Sequence, residues 1–123
     1  MSPAATPFAR DLDAGVRALV LDRDHHACVR CGLAVGDEAI WPRSPGGSRG
    51  PENLILLCGS RKTGCTRWIG VHSKRALLYG WLLTPGEDPL DKPVVYASSG
   101  GFTEYWLTAD GGRETEPPRE RAA

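Results

Sequence analysis

All four cysteines of this 123-residue chain lie in two clusters whose spacing could bind a metal ion. Two residues separate Cys28 from Cys31, and six residues separate Cys58 from Cys65. Two such pairs can supply four thiolates to a tetrahedral Zn²⁺, with Zn–S distances of about 2.3 Å. The alternatives are two local disulfides or four free buried thiols. Because paired cysteines in an intracellular chain are more often metal ligands than disulfides, the spacing favours a structural four-cysteine zinc site.

The start of the chain carries no recognisable targeting signal. Residues 1–7 have neither the basic beginning nor the apolar stretch of a secretory signal. The longest apolar runs, such as residues 54–57, are much too short to span a bilayer. We therefore expect a cytoplasmic protein without a membrane partner, and a reducing compartment again favours zinc over disulfides.

A formal net charge of zero conceals a strongly basic segment. Residues 41–75 contain seven basic side chains and one acidic side chain, Glu52, whereas the segments before and after them carry an acidic excess. Such a patch is typical of a surface that binds phosphate groups, and the alternative is a solvated basic face without a partner. The candidate nucleic-acid-binding residues are Arg43, Arg49, Arg61, Lys62, Arg67, Lys74 and Arg75.

The elements that must position the first cysteine pair are a helix and an irregular hairpin. A helix is predicted from Asp11 to about Arg23, because its apolar residues recur at helical spacing, and Asp11 or Asp13 can cap it. Between the two cysteine pairs, residues 33–41 and 53–57 are predicted to be extended. A loop rich in Gly and Pro joins them, which predicts a hairpin with an irregular connection.

Short helices and strands are predicted after the second cysteine pair. Residues 66–71 and 74–79 have helical character, with Ser73 as a cap for the second helix and Gly80 as its stop. The four tryptophans are expected in the core, with Trp41 as the best candidate for a stacking surface. The further strand candidates are residues 81–83, 94–96 and 102–108.

These elements predict an α+β fold in one domain. We expect the domain to cover residues 11–112, between a disordered leader at 1–10 and a disordered tail at 113–123. A structural metal would help to stabilise a small domain that contains 15 Gly and 10 Pro.

The order of motifs in this chain resembles one known family. Cys-x-x-Cys-Gly is followed by a strand, the loop Pro42-Arg43-x-x-Gly46-Gly47, Asn53-Leu54, an apolar run and the second cysteine pair. This order resembles the small zinc-containing HNH endonucleases of phages and prophages, and the likeness extends over about residues 16–112. The resemblance implies a ββα-metal core, in which zinc stabilises two antiparallel strands and a helix. An N-terminal helix and a C-terminal β-hairpin would extend that core.

The same resemblance implies a catalytic site. In the family, a histidine at the end of the first strand is the general base, and an asparagine orients it. An acidic residue or histidine beside the base, and a histidine or asparagine on the helix, hold Mg²⁺ or Mn²⁺, which stabilises the leaving oxygen. In the register set by the Pro-Arg and Gly-Gly pairs, the first two histidines fall on Glu38 and Ala39, the asparagine on Asn53 and the helix histidine on Thr66. Ala39 cannot accept a proton, and Thr66 is a poor substitute for an imidazole ligand.

Three functions follow as hypotheses. We favour an HNH-family protein that binds DNA and has lost its catalytic residues, because removal of a general base costs about 10²- to 10⁴-fold in rate. The second is an active, Mg²⁺- or Mn²⁺-dependent endonuclease whose base is relocated to His25, His26 or His72. The third is a zinc module that binds a protein partner. The sequence leaves open whether any nuclease activity remains.

Overall fold

The computed structural model describes residues 7–60, 62–98 and 101–117, and this part of the chain has a mixed α+β fold with two small antiparallel sheets. The α+β prediction is therefore confirmed. Short 3₁₀ turns at Asp37–Ala39 and Pro51–Asn53 precede the first two strands. In chain order the elements are α1 (Pro7–Arg10), α2 (Ala14–Arg23), β1 (Ile40–Pro42), β2 (Leu54–Leu56), α3 (Gly64–Val71), α4 (Ser73–Leu78), β3 (Val94–Ser98), β4 (Gly101–Leu107) and β5 (Arg113–Glu114).

The predicted N-terminal helix is α2, which begins at Ala14. Asp13 caps it, since its carboxylate accepts hydrogen bonds from the backbone N–H groups of Gly15 (2.7 Å) and Val16 (3.3 Å). The expectation of a disordered leader is wrong for residues 7–10, which form α1, and residues 1–6 lie outside the described part of the chain. The leader is ordered there because Ala9 is fully buried against the first sheet.

The predicted hairpin between the cysteine pairs is the sheet of β1 and β2, in which Ile40 pairs with Leu56 and Pro42 with Leu54. Strand β2 separates two hydrophobic clusters, which explains its uninterrupted apolar sequence. The helix-side core consists of Ala9, Leu12, Val20, Ala39, Ile40, Leu54 and Leu56. The cysteine-side core consists of Cys28, Val29, Ile55, Leu57, Cys58, Cys65, Ala76, Trp81, Val94, Val95, Tyr96 and Leu107.

The structure corrects three local predictions. The strand expected at residues 33–41 begins only at Ile40, because the preceding residues form a 3₁₀ turn. Ser73 is the first residue of α4 and not its cap, since His72 occupies the N-cap position. Residues 81–83 are not a strand, since the N–H groups of Trp81 (3.0 Å) and Leu82 (3.3 Å) both donate to the carbonyl of Ala76 and close the end of α4.

The chain leaves α4 through a close approach that requires glycine. Gly80 has φ +75°, and a Cβ built there would lie 1.9 Å from the carbonyl oxygen of Pro93. Next to it, the indole N–H of Trp81 donates to the carbonyl of Val95 at 2.7 Å. Trp81 is buried, as predicted, whereas the other three tryptophans are only half-buried.

The C-terminal hairpin prediction is confirmed by β3 and β4, in which Val94 pairs with Tyr105. The expectation of a disordered tail is wrong for Arg113–Glu114, because β5 pairs with the end of β4. The guanidinium of Arg113 lies over the rings of Tyr96 (4.9 Å) and Tyr105 (4.3 Å), and these contacts hold the charged segment on the sheet. Residues 118–123 lie outside the described part.

Val29, which lies between the two cysteines of the first pair, joins the two sheets. The N–H of Val29 donates to the carbonyl of Leu56 in β2 at 2.9 Å, and the carbonyl of Val29 accepts from the N–H of Ala97 in β3 at 2.8 Å. Val29 is also buried in the cysteine-side core. The loop that carries Cys28 and Cys31 is therefore the seam between the sheets.

Candidate metal centre and the surface around it

The first cysteine pair lies on a tight backbone knuckle. The N–H of Cys28 donates to the carbonyl of Leu33, and the carbonyl of Cys28 accepts from the N–H of Gly32, both at 2.9 Å. These bonds direct the two thiols to one side of the turn. Cys28 is buried, and Cys31 is exposed at the rim of the cluster.

The second pair is closed by a turn that explains its wide spacing. Cys58 follows β2, and Cys65 is the second residue of α3. Between them the backbones of Ser60 and Thr63 exchange two hydrogen bonds of 3.1 Å, so the chain folds back on itself. Gly59 makes this return possible, since it has φ +86° and a Cβ there would lie 2.2 Å from the carbonyl oxygen of Thr63.

The four sulfurs fit a metal ion. All four Sγ atoms lie within 4.8 Å of one another, and those of Cys31 and Cys58 are 3.6 Å apart. A disulfide would need about 2.05 Å, whereas thiolates at the corners of a zinc tetrahedron are separated by roughly 3.8 Å. All four cysteines are free thiols. The cluster therefore has the ligand number and spacing of a closed, structural metal site.

Arg30 is an electrostatic neighbour of this cluster. Burial raises the pKa of the Cys65 thiol, and a hydrogen bond from Arg30 Nη1 to Cys65 Sγ (3.3 Å) opposes that shift. A divalent cation would act in the same direction as Arg30 and keep the sulfur deprotonated. The same guanidinium lies over the ring of Trp68, 4.0 Å from its centroid. Sequence analysis missed Arg30 because it lies before the basic segment.

The positions that the resemblance assigns to catalysis are occupied by groups with structural contacts. The carboxylate of Glu38 accepts a hydrogen bond from the N–H of Gly36 at 3.0 Å. Ala39 is buried, and its carbonyl accepts from the N–H of Leu57 at 2.9 Å. Both the N–H and the hydroxyl of Thr66 donate to the carbonyl of Cys58 at 3.0 Å. Ala39 and Thr66 are thus linked to two consecutive residues at the end of β2.

Asn53 is fully buried and holds the loop between β1 and β2. Its Oδ1 accepts from the N–H of Ser44 at 2.9 Å. Its Nδ2 donates to the carbonyls of Ser44 (3.1 Å) and Ser48 (2.8 Å). The amide group is therefore satisfied within the loop, and its role is to fix the backbone.

The prediction that Arg43 binds nucleic acid is wrong. Arg43 is fully buried, and burial lowers its pKa to about 10, so the guanidinium remains charged at neutral pH. No N–H group of this side chain is available to a phosphate. A count of basic residues cannot distinguish such an arginine from a surface one. All its side-chain bonds go to carbonyls, those of Gly80 (2.8 Å), Glu52 (3.0 Å), Pro89 (3.0 Å) and Lys92 (2.7 Å).

The other basic candidates that the structure describes are exposed. Lys62 and Arg67 line a cavity of about 650 Å³ beside the cysteine cluster, together with Arg30 and His72. Arg49 lies near α1, where it donates to the carbonyl of Asp11 at 3.4 Å. Lys74 and Arg75 lie on α4, and Arg61 falls outside the described residues.

The three histidines are exposed, and none occupies a position that the resemblance assigns to catalysis. His25 and His26 have left-handed backbones (φ +55° and +54°), which is uncommon for residues other than glycine. The ring of His72 lies 4.6 Å from that of Trp68. Across residues 7–60, 62–98 and 101–117, the four cysteines are the one group of three or more His, Cys, Asp or Glu ligand atoms that converge.

A buried ion pair beside the first cysteine pair was also missed by sequence analysis. Arg23 Nη2 and Asp24 Oδ2 are 2.8 Å apart, and the hydroxyl of Tyr96 donates to Asp24 Oδ1 at 2.5 Å. Arg23 also donates to the carbonyls of Pro51 (2.8 Å) and Leu54 (2.6 Å). The ion pair thus connects the end of α2 to β2 and β3. Two adjacent charged residues in a sequence do not indicate that their side chains are buried.

No family model, curated protein or solved structure matches this chain. Within the part of the chain that the structure describes, none of the helices combines the length and the apolar composition needed to cross a membrane. What the protein does must therefore be inferred from its own geometry and charge.

Proposed function

We propose that this chain is an HNH-like protein that zinc stabilises and that binds DNA without cutting it. The observation that carries the proposal is the cavity beside the cysteine cluster. Lys62, Arg67 and Arg30 line it, and none of the described residues that line it is acidic. A concave surface on which several positive charges converge is suited to phosphate groups, and one of these charges, Arg30, is already held by Cys65 and Trp68.

The order of elements supports the HNH-like part of the proposal. An antiparallel pair, β1 and β2, is followed by α3, and Cys58 and Cys65 connect the second strand to the helix. Arg43 and Asn53, two residues of the family's motif, organise the loop between the strands. A ββα unit closed by four sulfurs is what the resemblance implies.

The side chains at the former catalytic positions support binding without cleavage. The methyl group of Ala39 has no lone pair with which to accept a proton from water. The Thr66 hydroxyl already donates to Cys58, and the Glu38 carboxylate accepts from its own turn. These residues stabilise the backbone and provide neither a base nor a complete set of ligands for Mg²⁺.

In this proposal zinc supplies rigidity, and the chain's own side chains bind the phosphates. Zinc bound to four cysteines would fix the relative positions of the first knuckle and α3. Lys62 and Arg67 would then neutralise phosphates of the DNA backbone, and Arg30 would partly offset the negative charge of the thiolates. Binding of this kind is electrostatic and weakly dependent on sequence.

The test is a titration of labelled duplex DNA at several salt concentrations. We expect Lys62→Glu with Arg67→Glu to weaken binding and to reduce the salt slope by about one for each phosphate contact that is lost. Arg10→Glu, an exposed charge on α1, is the matched control and should change affinity much less. If wild-type protein binds no DNA even at low salt, the proposal fails and a protein partner is favoured.

The second candidate function is an endonuclease whose general base is relocated to a histidine. The position of His72 favours this candidate over the third one, a zinc module that binds a protein partner. His72 lines the basic cavity, whereas His25 and His26 do not. We expect no nicking of plasmid DNA by wild-type protein with Mg²⁺ or Mn²⁺. If nicking occurs and His72→Ala abolishes it while the thermal melt is unchanged, the protein is an enzyme with a displaced base.

A further inference from the structure

A second concave surface adjoins the basic cavity and is built mainly from aromatic rings. This aromatic cleft has a volume of about 290 Å³. It shares Arg30 and Trp68 with the basic cavity, so the two surfaces are continuous. Within the part of the chain that the structure describes, its lining contains no acidic residue. Its lining residues are Arg30, Trp68, Arg75, Tyr79, Trp81 and Phe102.

The wall of the cleft is rigid. The rings of Trp68 and Trp81 meet edge to face with centroids 5.8 Å apart, and Tyr79 lies 4.9 Å from Trp81. Trp81 is anchored by its hydrogen bond to Val95 in β3. The aromatic surface is therefore formed before any ligand binds, which lowers the entropic cost of binding.

Phe102 forms the open side of the cleft. It is 76% exposed, and its ring is nearly parallel to that of Tyr79, with an interplanar angle of 10° and centroids 6.5 Å apart. An aromatic ring exposed to this extent contributes little to the core. Its face is available for stacking with another flat ring.

The cleft carries two positive charges, Arg30 and Arg75. Arg30 donates from Nη1 to Cys65 Sγ at 3.3 Å, and its other N–H groups can meet a phosphate. Neither arginine belongs to the ion pairs among the described residues, which are Arg23–Asp24 and Lys92–Glu87. Arg75 is exposed on α4, one helical turn before Tyr79. Positive charge thus lies beside the rings, as a nucleic-acid backbone beside its bases would require.

We propose that the aromatic cleft binds unpaired bases of single-stranded nucleic acid, with Phe102 and Tyr79 as stacking surfaces and Arg30 and Arg75 as phosphate contacts. This inference rests on the proposed DNA binding and narrows its substrate. Bases in a duplex are already stacked and cannot present their faces to a protein ring. Aromatic side chains along a basic groove are the usual means of binding single strands without sequence preference.

The test measures binding of a short labelled oligothymidylate by fluorescence anisotropy, with tryptophan quenching as a second signal. We expect Phe102→Ala to weaken binding about 5- to 150-fold, the usual effect of removing one base–aromatic stack, and Phe102→Trp to retain it. Leu33→Ala, a 59% exposed apolar residue outside the cleft, should leave affinity unchanged. Arg75→Ala should weaken binding more than Lys74→Ala, which removes the adjacent charge on α4 without touching the cleft.

The outcomes separate this inference from the function on which it rests. If Phe102→Ala binds single strands like wild type while reversal of Lys62 and Arg67 weakens binding, the cleft inference is wrong and DNA binding stands. If thymidine monophosphate or an acidic peptide saturates the cleft as tightly as the oligonucleotide, the assigned ligand is wrong. If no nucleic acid binds, both proposals fail.

Discussion

The hairpin of β1 and β2 is held by different means at its two ends. At the loop end, residues 43–53, the backbone is fixed by side-chain hydrogen bonds from Arg43, Asn53 and Arg23. At the cysteine end, residues 56–66, the chain is closed by four sulfurs that can share a metal ion. The loop end is held by the side chains alone, whereas the four sulfurs of the cysteine end are placed so that one ion could join them.

Under the proposed function, this difference accounts for how residues of the HNH-like motif can be kept in a protein that does not cut DNA. Arg43 and Asn53 hold the fold through carbonyl groups and would be needed whether or not the protein cuts DNA. In the proposal, Ala39 and Thr66, at the cysteine end, replace the family's catalytic groups and bond to Leu57 and Cys58 instead. The contacts of Arg43 and Asn53 are therefore evidence of architecture, and the chemistry is a matter for the nicking assay.

The largest expected effect comes from breaking the cysteine end. Chelation of the metal under reducing conditions should unfold the protein, because zinc binding at such sites contributes about 10–16 kcal/mol that appears as folding free energy. Cys31→Ser and Cys58→Ser should have the same effect. Thermal melts followed by circular dichroism give the measurement. A chelated, reduced protein that melts like the untreated one would contradict the metal assignment.

Arg43→Met should be the most damaging substitution at the loop end. It leaves four carbonyls without their donor, two of them buried (Gly80 and Glu52) and two half-buried (Pro89 and Lys92). Each buried orphaned acceptor costs about 1–3 kcal/mol. We expect a loss of more than about 3 kcal/mol in urea unfolding of the metal-loaded protein. Arg49→Met, at an exposed position in the same loop, is the control and should stay within about 0.5 kcal/mol of wild type. Equal stabilities of the two variants would show that the loop does not depend on Arg43.

Asn53→Asp tests the hydrogen bonds at the loop end with a smaller change of side chain. Aspartate keeps the oxygen that accepts from Ser44 but replaces the donor to the carbonyls of Ser44 and Ser48 with a second oxygen. We expect a loss of about 2 kcal/mol in the unfolding free energy with no change in the bound metal. Urea unfolding tests the expected loss of stability, and metal content measured on the same sample tests whether the bound metal is unchanged. Loss of metal would show that the two ends are not independent.

The smallest effect is expected beside the first cysteine pair. Tyr96→Phe removes the hydroxyl that donates to the charged Asp24, at a cost of about 1.5 kcal/mol. Burial, followed by the charge of Asp24, raises the pKa of Tyr96 in the folded state. This contribution is therefore complete below the unfolded pKa, near 10, and is lost as pH rises further. Wild type and variant should converge in stability above about pH 10, and a constant difference would contradict this account.

Sequence analysis succeeded where short-range patterns decide the structure. The spacing of Cys28 and Cys31 indicated a cysteine cluster that could bind a metal, and Asp13, one of the two predicted caps, precedes α2. It failed where the outcome depends on distant partners. Arg43 is buried because the carbonyls of Gly80, Pro89 and Lys92, far along the chain, converge on it. Arg113 lies in a strand, and its guanidinium rests on the rings of Tyr96 and Tyr105. The alternation around Phe102 predicted a strand but not which ring would remain exposed.

The position of Val29 at the seam between the sheets has a consequence for how the chain folds. The backbone of Val29 bonds to Leu56 and to Ala97, which are both far from it in sequence. Formation of the turn at Cys28 and Cys31 in its native place therefore requires two long loops to close. Such long-range contacts make folding slow relative to a helical protein of this size. Metal bound by the first cysteine pair alone would close neither loop. We expect refolding to be limited by assembly of the full four-sulfur site, with the fluorescence of Trp81 changing only afterwards. If Trp81 reaches its native signal before metal uptake is complete, the C-terminal sheet forms without the knuckle.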